Sequence, residues 1–198
     1  MTPSAIRVAA RWMYGAAKSV KDLPEGVFVG VDAMSDEIRV FFCDENGDDF
    51  DIPIKGTVEV YGPGSDTGPG SDTGPCMNAF IVGRAFVDKG WGPMLYDVAM
   101  EAAGKRGLTP DRHKVSPDVH RVWSYYLNSR SDVKVKQLDF APKAPEHLTK
   151  DKKDDCEQAA RSVQTEDDLT GSPLSKVYYA KGQPTMRALA KAKRLLRL

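Results

Sequence analysis

Residues 80–127 constrain the fold of this chain more than any other stretch: an apolar run passes through Asp88-Lys89-Gly90-Trp91-Gly92-Pro93 straight into an amphipathic segment. A strand that ends in a glycine turn and opens a helix leaves backbone N–H groups unbonded where the helix dipole is positive, so the junction favours an anion. Residues 78–87 are apolar apart from Asn78, Gly83 and Arg84, which predicts a mostly buried strand. Met94, Leu95, Val98, Ala99 and Ala102 then recur at spacings of three and four and predict a helix. Pro93 suits its first turn, and Gly104 and Gly107 stop it. Residues 108–115 read as the next strand. Ser116, with Pro117 behind it, caps a second helix on which Val119, Val122, Trp123 and Tyr126 share a face.

Other phosphate and hydrolase signatures are missing. The sequence has no Gly-x-x-x-x-Gly-Lys-Ser/Thr loop, no Gly-x-Gly-x-x-Gly fingerprint and no Gly-x-Ser-x-Gly elbow. The order strand, glycine turn, helix, strand, helix instead resembles the core of the GNAT superfamily of acyl-CoA N-acyltransferases, where an Arg/Gln-x-x-Gly-x-Gly/Ala turn cradles the pyrophosphate of coenzyme A. Gly90 and Gly92 match the two small positions, Val87 stands where the family has Arg or Gln, and Lys89 offers a nearby positive charge.

The resemblance implies an α+β fold with a mixed, mostly antiparallel central sheet flanked by helices, acetyl-CoA or another acyl-CoA as cofactor, and an amine as acceptor. Under it, Ala85, Phe86 and Val87 line the pantetheine arm, and the amides of Lys89, Gly90, Trp91, Gly92 and Met94 meet the pyrophosphate. The family's acid for the departing thiolate lies on the second helix, which implies Tyr126, with Tyr125 behind it, while Ser116 replaces the family's Asn. For the base the sequence leaves Glu59, Asp51 and Asp88 open, with His113 and His120 as further options. Similar proteins recur among tailed phages, so the resemblance also implies an alternative: a catalytically inactive GNAT-fold protein with a structural or host-interaction role, in the host cytoplasm if phage-encoded.

The 198 residues are enough for one domain with decorations. Lys plus Arg at 28 balance Asp plus Glu at 28, so overall charge neither attracts nor excludes nucleic acid. No apolar run reaches the roughly 18 residues of a membrane span, and the first residues lack a signal-peptide core, which predicts a cytoplasmic protein. Cys43, Cys76 and Cys156 are odd in number and far apart, predicting free thiols and a reducing compartment; no Cys-x-x-Cys spacing suggests zinc, and no metal is expected.

Residues 1–140 read as the α/β core, opening with a helix over 5–19 and strands over 26–31, 38–43, 50–54 and 57–61. Within it, 62–75 form a flexible loop built on an exact tandem of Gly-Pro-Gly-Ser-Asp-Thr. Residues 133–138 alternate as a strand. Residues 141–174 are charged and poor in large apolar side chains, predicting a surface excursion or linker. Residues 175–198 read as a last strand and a basic helix over 185–198, whose Arg187, Lys191, Lys193, Arg194 and Arg197 suit a nucleic acid, an anionic membrane or an acidic protein partner.

Overall fold

Alternation of apolar and polar residues builds the first half of the protein as an antiparallel meander. The computed structural model describes residues 19–44, 54–63, 73–88, 90–139, 148–158 and 170–198; the predicted opening helix, most of the tandem loop, Asp51 and Lys89 lie outside them. Strands β1 (Val27–Ala33), β2 (Glu37–Asp44), β3 (Ile54–Tyr61) and β4 (Phe80–Val87) pair in sequence order, each antiparallel to the last. Then β5 (Leu108–Thr109) joins β4 in parallel, and β7 (Lys176–Ala180) inserts between β5 and β6 (Val133–Gln137). Strand β8 (Leu195–Arg197) adds in parallel to β1, completing the order β6-β7-β5-β4-β3-β2-β1-β8. This mixed, mostly antiparallel sheet with three described helices is of the α+β class.

One face of the sheet carries the main core. Val40, Phe42, Val58, Val60 and Val82 meet helix α1 (Gly92–Ala103) through Met94, Leu95, Val98 and Ala99. Helix α2 (Pro117–Ser129) inserts Trp123 and Tyr126 against Tyr178, with Trp123 and Tyr178 ring centroids 4.9 Å apart. The predicted cap holds: the Val119 amide donates to Ser116 Oγ at 3.3 Å. No described helix is long and apolar enough to cross a membrane.

The opposite face has a smaller cluster in which Cys76, Ala79, Ile81, Leu138, Cys156 and Val177 pack together. Its centre is a disulfide between Cys76 and Cys156, 80 residues apart in sequence, so the expectation of free thiols is corrected and the argument for a reducing compartment loses its ground. The sheet order brings the two together, which sequence spacing does not reveal. Cys43 alone is free among the cysteines; it is buried, and burial pushes its thiol up to about 11.

Residues 148–158 form a strap across this face, so the segment predicted as a charged excursion is packed over its described part. The Cys76 amide donates to the Asp155 carbonyl at 2.9 Å, and the Met77 amide to the Lys153 carbonyl at 2.6 Å. Arg112 pins the strap from the other side. Its guanidinium is buried and donates to the carbonyls of Glu157 at 2.9 Å, Cys156 at 3.1 Å and Leu174 at 2.7 Å, and to Thr109 Oγ1 at 3.1 Å. Burial pushes it down to about 9, so it remains a cation at neutral pH. This inward turn, together with Pro110, which has no amide to donate to a ladder, cuts the strand predicted over 108–115 to two residues.

The predicted C-terminal helix is also shorter. Helix α3 (Pro184–Lys191) ends in a Schellman turn: the Arg194 amide donates to the Leu189 carbonyl at 2.8 Å and the Lys193 amide to the Ala190 carbonyl at 3.0 Å. Lys193 takes the left-handed position, φ 56°, where glycine is usual. The chain then extends into β8, and Arg194 turns inward to donate to the Pro24 and Val27 carbonyls. Lys193→Gly is expected to stabilise the protein by about 1 kcal/mol by relieving the left-handed lysine. That is a rise of about 3 °C in a thermal melt; an unchanged or lower midpoint would show that the turn is not strained.

Candidate functional site

Two breaks in the sheet place the site. A bulge in β4 comes first: Val60 pairs with Val82 but Glu59 with Arg84, leaving Gly83 as the extra residue. Phe80 and Val82 face the helices before it; after it the parity changes, and Ala85 and Val87 take that face. Arg84 and Phe86 turn to the other side, where the guanidinium lies 5.2 Å from the ring centroid and Phe86 is 64% exposed. The second break is a split. Strand β5 pairs with β4 only at Phe80 and Ile81, so β4 runs on to Val87 with no strand on that side among the described residues.

The opening leads to the start of α1. The Trp91 amide donates to the Asp88 carbonyl at 3.0 Å, closing a turn in which Gly90 has φ 90°, a conformation that favours glycine. Trp91 itself is buried, edge-on to Phe42 at 5.4 Å, and anchors the turn to the sheet. A helix leaves its first amides without intrahelical partners, and Pro93 has none to offer, so Gly92 and Met94 carry the donors that face outward along the axis.

A cavity of about 340 Å³ fills the split. Its walls are Ala85, Val87 and Asp88 from β4 and the turn, Gly90, Gly92, Pro93 and Tyr96 from the start of α1, and Ser116, Asp118, Val119 and Val122 from the start of α2. Tyr96 is 2% exposed, and its hydroxyl has no hydrogen-bond partner among the described residues. Its ring is held edge-on to Trp123 at 5.6 Å, and burial raises its pKa. A side chain at Gly92 would come within ordinary contact of Val87 and the Tyr96 ring, 3.8 and 3.9 Å away, so glycine there keeps the floor open.

Of the residues expected to bind a cofactor, Ala85, Val87, Gly90 and Gly92 line this cavity. Phe86 points away from it, because the bulge reverses the parity of the strand. Trp91 and Met94 bury their side chains in the core, and the Trp91 amide is already bonded, which leaves Met94 only its amide to offer.

The expected catalytic groups lie elsewhere. The Tyr126 hydroxyl is buried behind the wall, donating to Asp97 Oδ1 at 2.8 Å, and Arg130 bonds the same carboxylate at 3.0 Å. Burial, and then the Asp97 charge, push the Tyr126 phenol well up; burial also raises Asp97, against the opposing pull of Arg130. Tyr125 is 54% exposed. Glu59 occupies the far face of β3, beside Arg39 at 3.9 Å and accepting from the Tyr61 hydroxyl at 3.0 Å. His113 and His120 are not in the wall, and among the described residues named as a base only Asp88 is.

Sequence reasoning missed Tyr96, although it stands one helical turn after Gly92 and so had to share its face. It also missed a carboxylate group formed by Asp139, Asp154 and Asp155, whose ligand atoms lie within 4.8 Å of one another. Asp139 accepts from the Leu148 and Thr149 amides, both at 3.1 Å, and Asp154 accepts from the Thr149 hydroxyl at 3.0 Å, so these acids organise the start of the strap. With the geometry in view, comparison with known proteins returns nothing: no family model, no curated protein and no solved structure matches this chain.

Proposed function

We propose that the cavity is an acyl-CoA site and that the protein is a GNAT-like N-acyltransferase acting on an amine. The observation that carries this reading is the split between β4 and β5 opening onto the glycine turn of α1, with a buried, unpartnered Tyr96 hydroxyl in its wall. An acyl-CoA supplies an activated thioester whose carbonyl accepts the amine. The open edge of β4 offers main-chain groups to the amides of a pantetheine arm, and Ala85 is small enough to let such an arm approach. The Gly92 and Met94 amides, at the positive end of the helix dipole, suit its pyrophosphate. Tyr96 supplies a further donor. Tyr126 is not the acid in this reading, because its hydroxyl is buried outside the cavity lining and donates its hydrogen bond to Asp97.

Titration calorimetry with acetyl-CoA tests the reading, and absence of heat at millimolar cofactor removes it. Tyr96→Phe keeps the ring packing and deletes a hydroxyl that bonds nothing among the described residues, so the thermal midpoint should stay within a degree or two. Cofactor affinity should nevertheless fall about tenfold or more, the worth of a hydrogen bond to a charged group. Equal affinity in the variant would take Tyr96 out of the site.

A second reading has its own observation. Val87 replaces the family's cationic or amide residue, and the side chains of Asp88 and Asp118 stand in the cavity wall where a pyrophosphate would arrive. Asp118 is balanced by Arg121. A protein that keeps the fold without cofactor, in a structural or host-interaction role, follows if calorimetry is silent.

A further inference from the structure

A cleft of about 450 Å³ opens at the other end of α1, between Gly104 and Lys105, the outward side of β6, and the turn from β7 into α3. Along α1 the nearest lining residues of the two are Tyr96 and Glu101, about 7.5 Å of helical rise apart, so the cleft lies at the C-terminal end of the helix and the acyl-CoA cavity at its N-terminal end. Lys105, Lys134 and Lys136 line it, all exposed, and no carboxylate pairs with any of the three among the described residues. The acid in its wall, Glu101, is engaged: its two oxygens accept from the Thr185 amide at 2.8 Å and the Met186 amide at 2.7 Å, capping α3.

The cleft is fixed rather than a loose fringe of lysines. Tyr179 forms part of its floor, packed so closely on Gly107 that a side chain there would come within 2.6 Å of the ring. The Lys136 ammonium sits 5.6 Å from that ring's centroid, which holds it over the cleft. At the rim, a guanidinium nitrogen of Arg187 lies 3.1 Å from where a Gly182 side chain would begin. Lysines on an edge strand also discourage edge pairing, which explains Lys134 and Lys136 but neither Lys105 nor Arg187. Three lysines, one just after α1 and two on β6, thus line the cleft, with Arg187 of α3 at its rim, in a chain whose net charge is zero.

We propose that this cleft binds a phosphate-bearing ligand, whether a nucleic-acid strand or a free oligophosphate, through Lys105, Lys134, Lys136 and Arg187. Ammonium groups act as compact point charges toward phosphate, and their spread over one cleft suits two or three successive phosphates better than a single carboxylate. The site is separate from the acyl-CoA reading and stands if that reading fails.

The test uses the full chain and a fluorescein-labelled 12-nucleotide single strand, followed by anisotropy between 50 and 200 mM salt, with inorganic tripolyphosphate as competitor. Affinity should fall with salt at a logarithmic slope of about −2, as for three phosphates neutralised on a single strand. Lys134→Glu with Lys136→Glu, both solvent-facing, should weaken binding about tenfold or more with an unchanged melting curve. Lys191→Glu with Lys193→Glu, beyond the cleft on α3 and its end, should change it less than twofold. Displacement by tripolyphosphate at equal phosphate identifies the oligophosphate and resistance identifies the strand; both retain the site. Overturning results are no binding of either probe at millimolar phosphate, a flat salt response, full affinity in the β6 variant, or a loss confined to the α3 variant.

Discussion

Cys156→Ala is expected to destabilise the protein by about 4 kcal/mol, because the Cys76–Cys156 bond closes an 80-residue separation and removes that much chain entropy from the unfolded state. For a chain of this length the thermal midpoint should drop by about 10 °C. Thiol counting provides the independent check. The native protein should expose none, because Cys43 is buried with a raised pKa, the unfolded protein without reductant should show one, and the reduced unfolded protein all three. Three thiols before reduction, or a midpoint insensitive to dithiothreitol, would remove the disulfide.

Arg112→Met should cost about 3 kcal/mol or more. The substitution nearly fills the same space, yet leaves the carbonyls of Leu174, Cys156 and Glu157 and the Thr109 hydroxyl without their donor in a buried place, at roughly 1–3 kcal/mol for each group that water cannot reach. Because one of those carbonyls belongs to Cys156, the two substitutions act on the same strap. Their combined effect in denaturant titration should therefore fall short of the sum by about 1 kcal/mol. Additive losses would mean that the strap is held by the two independently.

What was legible in the sequence was local. Pro93, Gly104 and the Ser116-Pro117 pair mark helix ends through their own backbone chemistry: α1 starts and stops, and α2 starts, where those residues predict. The Gly-x-Gly turn likewise announces itself. The strap, Arg112 and the disulfide were hidden because their partners lie 44 to 80 residues away and depend on the sheet order. The end of α3 was missed because a lysine occupies a position that glycine would have advertised. Within the site, one bulge residue decided the outcome: counting alternate residues through Gly83 as an ordinary strand position cannot tell which of Ala85 and Phe86 faces the cavity.

The parallel pairing of β8 with β1 has a consequence for synthesis. Arg194 bonds a carbonyl 170 residues earlier in the chain, so β1 has its outer neighbour only when nearly all of the described chain has been translated. At the usual pace of a ribosome that interval is roughly 10–30 s. Throughout it, the β1–β2 hairpin presents a bare strand edge to other nascent chains. Where translation is slow, yield should therefore suffer first from aggregation through β1, and a holdase chaperone during translation should relieve it.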